Sequence, residues 1–199
     1  MKLKFLIILL IVFSSQTRAE LDEEALIGVQ SYFDGNYETA KNHLKRAALK
    51  GNAESQYLLG HMFEHGEGVA VNQKESFKWY LAAAKQGIAP AQYNLSLNFT
   101  FGIGTTKDLS KGLLWLEKAA RQGHEYAQFK LGLDLIEYAK NDAERKKGLI
   151  WLRIASIANV SDAQHAYAVL APSISTPEHT SILLRANECI ESSYTNCNQ

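Results

Sequence analysis

A 36-residue period runs through this chain. Gln56, Gln92, Gln128 and Gln164 fall in one register, and Trp79, Trp115 and Trp151 in another. All three tryptophans obey that spacing. The same frame aligns Leu59, Leu95 and Leu131; Gly60, Ser96 and Gly132; Ala83, Ala119 and Ala155; and Gly51, Gly87 and Gly123. So many coincidences mark an array of supersecondary units, none of which can bury its apolar face alone.

Each unit reads as two helices. In the first, Ser55, Leu59 and Phe63 recur at i, i+4 and i+8 beside the small Gly60, giving one apolar stripe and a place for close backbone approach. In the second, Trp79 sits between the small residues Ser76 and Ala83. Gly66-Glu67-Gly68 and Gly102-Ile103-Gly104 make the turns, Asn72 and Asp108 suit helix capping, and Pro90 suits a first helical turn. Stacked pairs bury the faces that single pairs leave open. The expected fold is therefore all-α, a right-handed α-solenoid of stacked antiparallel helix pairs with a concave inner surface.

The stretches Ala53 to Gly87 and Ala89 to Gly123 resemble Sel1-like repeats, relatives of the tetratricopeptide repeat. The resemblance is carried by Gln56-Tyr57-Leu58-Leu59-Gly60, Gly66-Glu67-Gly68-Val69, Trp79-Tyr80-Leu81-Ala82-Ala83-Ala84 and Gly87, and repeated by Gly102, Gly104, Trp115, Ala119, Ala120 and Gly123. A third unit keeps Leu131, Gly132, Trp151 and Ala155, but Tyr138 and Lys140 replace its turn glycines. Its first helix is expected to run on towards Asn141. Gly28, Tyr32, Gly35, Tyr37, Ala40, Leu44 and Ala47 resemble a plain tetratricopeptide unit. The division is a helix pair over 20–52, repeats over 53–88, 89–124 and 125–160, and capping helices with a tail over 161–199. The last helix is expected to start at Thr176-Pro177-Glu178 and run to about Glu191.

Residues 1–19 stand outside this scheme. Lys2 and Lys4, the nine apolar residues Phe5 to Phe13 and a polar stretch ending at Ala19 follow the order of a secretory signal peptide. Nine apolar residues fall short of a membrane span, so no membrane insertion is expected after cleavage; an uncleaved anchor is the alternative. With no nearby cysteine, a lipoprotein is excluded. The resemblance to bacterial Sel1-like chains points to a periplasmic location. Cys189 and Cys197, both in the last eleven residues, are expected to form a disulfide there, with two thiols as the alternative.

Among 199 residues, 21 Lys and Arg balance 21 Asp and Glu, which excludes a generic nucleic-acid binder. His61-Met62-Phe63-Glu64-His65 matches the inverted zinc-peptidase pattern, but the repeat explains the segment and no third ligand can be nominated. Neither metal nor cofactor is expected. Certain Sel1-like proteins linked to β-lactams carry a cysteine pair in each repeat, which these repeats lack. Catalysis is accordingly not expected, and what remains is recognition of a peptide or loop by a monomeric solenoid. The first-helix face opposite Leu59 nominates His61, Met62, His65, Asn94, Asn98, Phe101 and Asp134 as partner-binding residues. The resemblance implies an adaptor or regulator, with an immunity-type inhibitor of a toxic effector or an envelope hydrolase as alternatives.

Overall fold

The structure is a computed structural model that describes residues 23–195 and 197; the expected signal peptide lies outside them. The described residues are helical, with no strand among them. Helix α1 (residues 23–33) precedes α2 (Tyr37–Leu49), α3 (Ala53–His65), α4 (Gln73–Lys85), α5 (Ala89–Phe101), α6 (Leu109–Ala120), α7 (Glu125–Glu137) and α8 (Asp142–Ile157). Helix α9 (Ser161–Leu170), a 3-10 turn (Ala171–Ser173) and α10 (Thr176–Glu191) complete the order. The chain forms two compact units, one through Ala91 together with Ile103–Thr105, the other Gln92–Gly102 together with Thr106 onward.

Short polar side chains set where the helices begin. Asn52 caps α3 by accepting from Ser55 N, Asn72 caps α4 by accepting from Lys74 N and Glu75 N, and Asp108 caps α6 by accepting from Lys111 N. Each satisfies a backbone donor that the helix itself leaves orphaned, at about 1 kcal/mol. Where Gly51, Gly87 and Gly123 carry positive φ at the ends of repeats, Asn159 takes the same conformation in the fourth position, as a short amide side chain can.

In the first unit Leu44, Leu59 and Met62 are fully enclosed with Ala40, Ala48 and Trp79. In the second, Trp151 is enclosed with Leu131, Leu149, Leu152 and Ile154, and α10 adds Ile182, Ala186 and Cys189 to that core. Helices α7 and α8 cross at two glycines, where a Cβ on Gly132 would lie 2.8 Å from Leu152 N and one on Gly148 2.8 Å from Gly132 O. A disulfide between Cys189 and Cys197, both buried, ties the tail to α10.

The repeated glutamines are joints. Gln56 Nε2 donates to Ala48 O, Gln128 Nε2 to Ala120 O and Gln164 Nε2 to Ser156 O, in each case linking a first helix to a carbonyl near the end of the preceding helix. A second glutamine bonds to the first in two repeats: Gln86 Nε2 donates to Gln56 Oε1 at 2.8 Å, and Gln122 Nε2 to Gln92 Oε1 at 2.6 Å. The next position in register is Ala158, and Gln128 Oε1 is buried without a partner.

The third turn differs from the expectation. Helix α7 stops at Glu137, with the same 13 residues as α3 and α5, and does not run on. Instead α8 starts three residues ahead of register, with 16 residues against 13 in α4. The cause is Asn141, whose side chain accepts from Glu144 N, followed by Asp142 and Glu144 in a first helical turn that favours negative charge.

Candidate interaction site

Within the first unit, the end of α3 carries a polar network. Tyr32 Oη donates to Glu67 Oε2 at 2.9 Å, and His61 Nδ1 lies 2.8 Å from Tyr32 Oη and 3.0 Å from the same carboxylate oxygen. Burial, then the bond to Glu67, pushes the Tyr32 phenol well above its ordinary range, so it stays a donor. Tyr80 Oη donates to Glu64 Oε2 at 2.6 Å, while His65 Nε2 sits 3.6 Å from that oxygen. The His61 and His65 rings are 4.2 Å apart between centroids. These bonds fasten the Glu67 turn to α1 and α3 to α4. Among the described residues no group of three or more His, Cys, Asp or Glu side chains is placed to hold a metal ion.

Two of the nominated residues are withdrawn from any contacting surface. Met62 is 0% exposed and Asn98 is 2% exposed. The physical reason is clearest at α3: it is packed by α2 and by α4, so the face opposite Leu59 is covered as well. Asn94 is half-buried, His61 half-buried and His65 exposed. Phe101, at the end of α5, is 63% exposed. Asp134 shares the register position of Met62 and Asn98 yet keeps partial exposure, and it pairs with Lys130.

Asp134 lines a cleft. Within the second unit, a cavity of about 560 Å³ is bounded by Thr100, Leu109, Ser110, Leu113, Lys130, Asp134, Leu135, Tyr138, Lys140 and Glu144. Its size is that of a small-ligand or short-peptide site. Leu109 is 58%, Leu113 41% and Tyr138 69% exposed, so much of the apolar wall faces solvent. The Lys140 amide donates to Glu144 Oε2 at 2.8 Å, closing the short turn at the rim. Glu137, by hydrogen bonding to Tyr138, holds the Tyr138 phenol above its usual range and therefore protonated. The lining combines apolar side chains, the three hydroxyls of Thr100, Ser110 and Tyr138 and a mixed-charge rim, a composition suited to recognition.

The Sel1 repeat model matches residues 27–52, 53–88, 89–124 and 125–160, well over half of the sequence. This chain belongs to the Sel1 repeat family. The solved Sel1 repeat protein from Oxalobacter formigenes superposes with a TM-score of 0.68 at 34% identity, over 74% of this chain and 59% of that one. A protective antigen of uropathogenic Escherichia coli with an SLR fold also gives a TM-score of 0.68, at 30% identity, over 83% of this chain and 38% of that one. The all-α Sel1 solenoid class expected from the period is thus the observed one. Among curated proteins, chitin synthase regulatory factor 3 of Schizosaccharomyces pombe is 40% identical over 60 residues, covering 30% of this chain and 6% of that protein. The chitin synthase regulator SKT5 of Saccharomyces cerevisiae is 37% identical over 59 residues, covering 30% and 8%. The chain therefore spans less than a tenth of the length of these curated relatives.

Sequence reasoning missed the cleft residues Leu109, Leu113, Tyr138 and Lys140. The signal for them was present. Tyr138 and Lys140 are where the third Sel1 repeat departs from its own pattern, and the first two repeats show what such a departure uncovers. Among the described residues, no helix is long and apolar enough to cross a membrane.

Proposed function

We propose that this Sel1 repeat protein is a non-enzymatic, monomeric adaptor or regulator that binds a protein partner through its second unit and works in the bacterial periplasm. The observation that carries the reading is the cleft: three exposed apolar side chains surround a cavity of about 560 Å³ in a repeat family built for surface recognition. The two yeast relatives are named as regulators of another protein, which supports a regulatory role for the repeat segment they share with this chain. Export is supported by the charge, apolar and small-residue order of residues 1–19 and by a disulfide of the kind an oxidising compartment maintains.

The test is cross-linked capture from periplasmic extract with the chain from Glu20 onward, beside Phe101→Glu and Leu113→Glu variants. The expected result is one stoichiometric protein retained by the parent and lost by a variant. Equal capture by all three would overturn the choice of surface, and capture of nothing would overturn the adaptor reading. Retention of the amino-terminal segment in the exported protein would overturn cleavage.

A further inference from the structure

The first two turns each cover a place that the third leaves bare. In the first unit Gly68 lies with its backbone against Tyr37, the opening residue of α2; a Cβ there would come within 2.7 Å of Tyr37 Cβ and 3.0 Å of its carbonyl oxygen. Gly104 descends in the same way on Gln73, the opening residue of α4, where an added Cβ would overlap the Gln73 carbonyl and lie 3.1 Å from Phe77 Cβ. Both glycines carry positive φ. One period further on, the residues to be covered are Leu109 and Leu113, and the residue in the glycine's place is Lys140. A turn shortened from seven residues to the four of 138–141 does not cover them, and the cleft opens beside them.

We propose that the cleft receives a glycine-containing turn of a partner polypeptide that carries an acidic side chain next to the glycine. The chain's own turns are the precedent for the glycine, because docking on the first turn of a second helix leaves no room for a Cβ. Charge supplies the acid. Lys130 is paired with Asp134, whereas the Lys140 ammonium, at the rim, has no ion-pair partner among the described residues. The partner thereby supplies in trans what the second repeat supplies in cis. This assignment rests on the protein-binding reading above and narrows it to one place and one chemistry.

The probes are two cyclic peptides, one containing Gly-Ile-Gly-Thr-Thr as in residues 102–106, the other with its first Thr replaced by Glu. Titrated at millimolar concentration into ¹⁵N-labelled full chain, both are expected to shift the amides of Leu109, Ser110, Leu113 and Tyr138. The acidic peptide should bind roughly fivefold tighter, an advantage that Lys140→Ala removes. Leu113→Glu, an exposed position, should weaken both by roughly tenfold. A further variant replaces residues 138–144 with the seven residues of 102–108; its rebuilt turn should fill the cleft, raise the thermal midpoint and abolish peptide binding. Shifts confined to other residues, no shifts at all, no advantage of the acidic peptide, or a grafted variant that folds and still binds would each overturn the proposal. If the periplasmic partner is lost by Phe101→Glu but retained by the graft, the adaptor reading stands and this assignment falls.

Discussion

The second and third turns begin one period apart from helices of identical length and end differently. In the second, Gly102 and Gly104 both adopt positive φ, Asp108 N donates to Phe99 O, and the loop lies on Gln73 and Phe77. In the third, an asparagine cap starts α8 a turn early and the loop is gone. The exchange replaces covering backbone with helix. The lesson is that a repeat can hold its helix pair, through Gly132 and Gly148, while giving up what it does for its neighbour.

The largest loss is expected from Gly104→Val. Positive φ and backbone overlap together should cost about 3–4 kcal/mol in chemical denaturation, while Lys140→Val should cost less than about 0.5 kcal/mol. Similar losses at both sites would mean that the two turns bear equally on stability. Next comes the tail of the second unit. With Cys189 and Cys197 both replaced by serine, an eight-residue separation predicts a loss of about 2–3 kcal/mol, and reducing agent should reproduce it in the parent but not in the variant.

Ala158→Gln is expected to act in the opposite direction. It restores to the third repeat the amide that Gln86 and Gln122 provide, gives Gln128 Oε1 its donor, and should raise stability by about 0.5–1 kcal/mol. An unchanged midpoint would show that the orphaned oxygen is already satisfied. The smallest effect concerns His124, which caps α7 by accepting from Ala127 N and stacks on Tyr93 at 4.8 Å. Burial holds its pKa below the usual value of 6.5, against the opposing pull of Glu125. The unfolded chain therefore takes up the proton first, so stability is full above about pH 6.5 and declines as pH falls through that value towards the lowered folded pKa. His124→Asn keeps an acceptor in place and should flatten this slope, worth less than about 1 kcal/mol in urea titrations at pH 5 and 8.

Much of the fold was legible because the period is written in residues with single structural uses. The glutamines make joints, Trp79 and Trp151 fill cores, and the glycines reverse the chain. Asn72, Asp108 and the start of α10 at Thr176 followed from capping and proline chemistry alone. The third turn departs from the expectation because loss of glycine is not loss of a stop signal: the nearer competition comes from the Asn141 cap. The interaction surface was harder to see. A helical wheel assigns one buried and one open face, and a first helix held between two second helices has two buried faces; Met62 fell on the second. The cleft was illegible for another reason: it is defined by residues that fail to cover it.

The glutamine joints also bear on how an array of this kind lengthens. Helices α3, α7 and α9 each bring their own amide, and the carbonyl that receives it is main chain, present whatever side chain stands there. A duplicated repeat therefore arrives with its fastening and finds an acceptor waiting on its neighbour. For this bond no second mutation has to accompany a duplication of 36 residues, because donor and acceptor are both already in place.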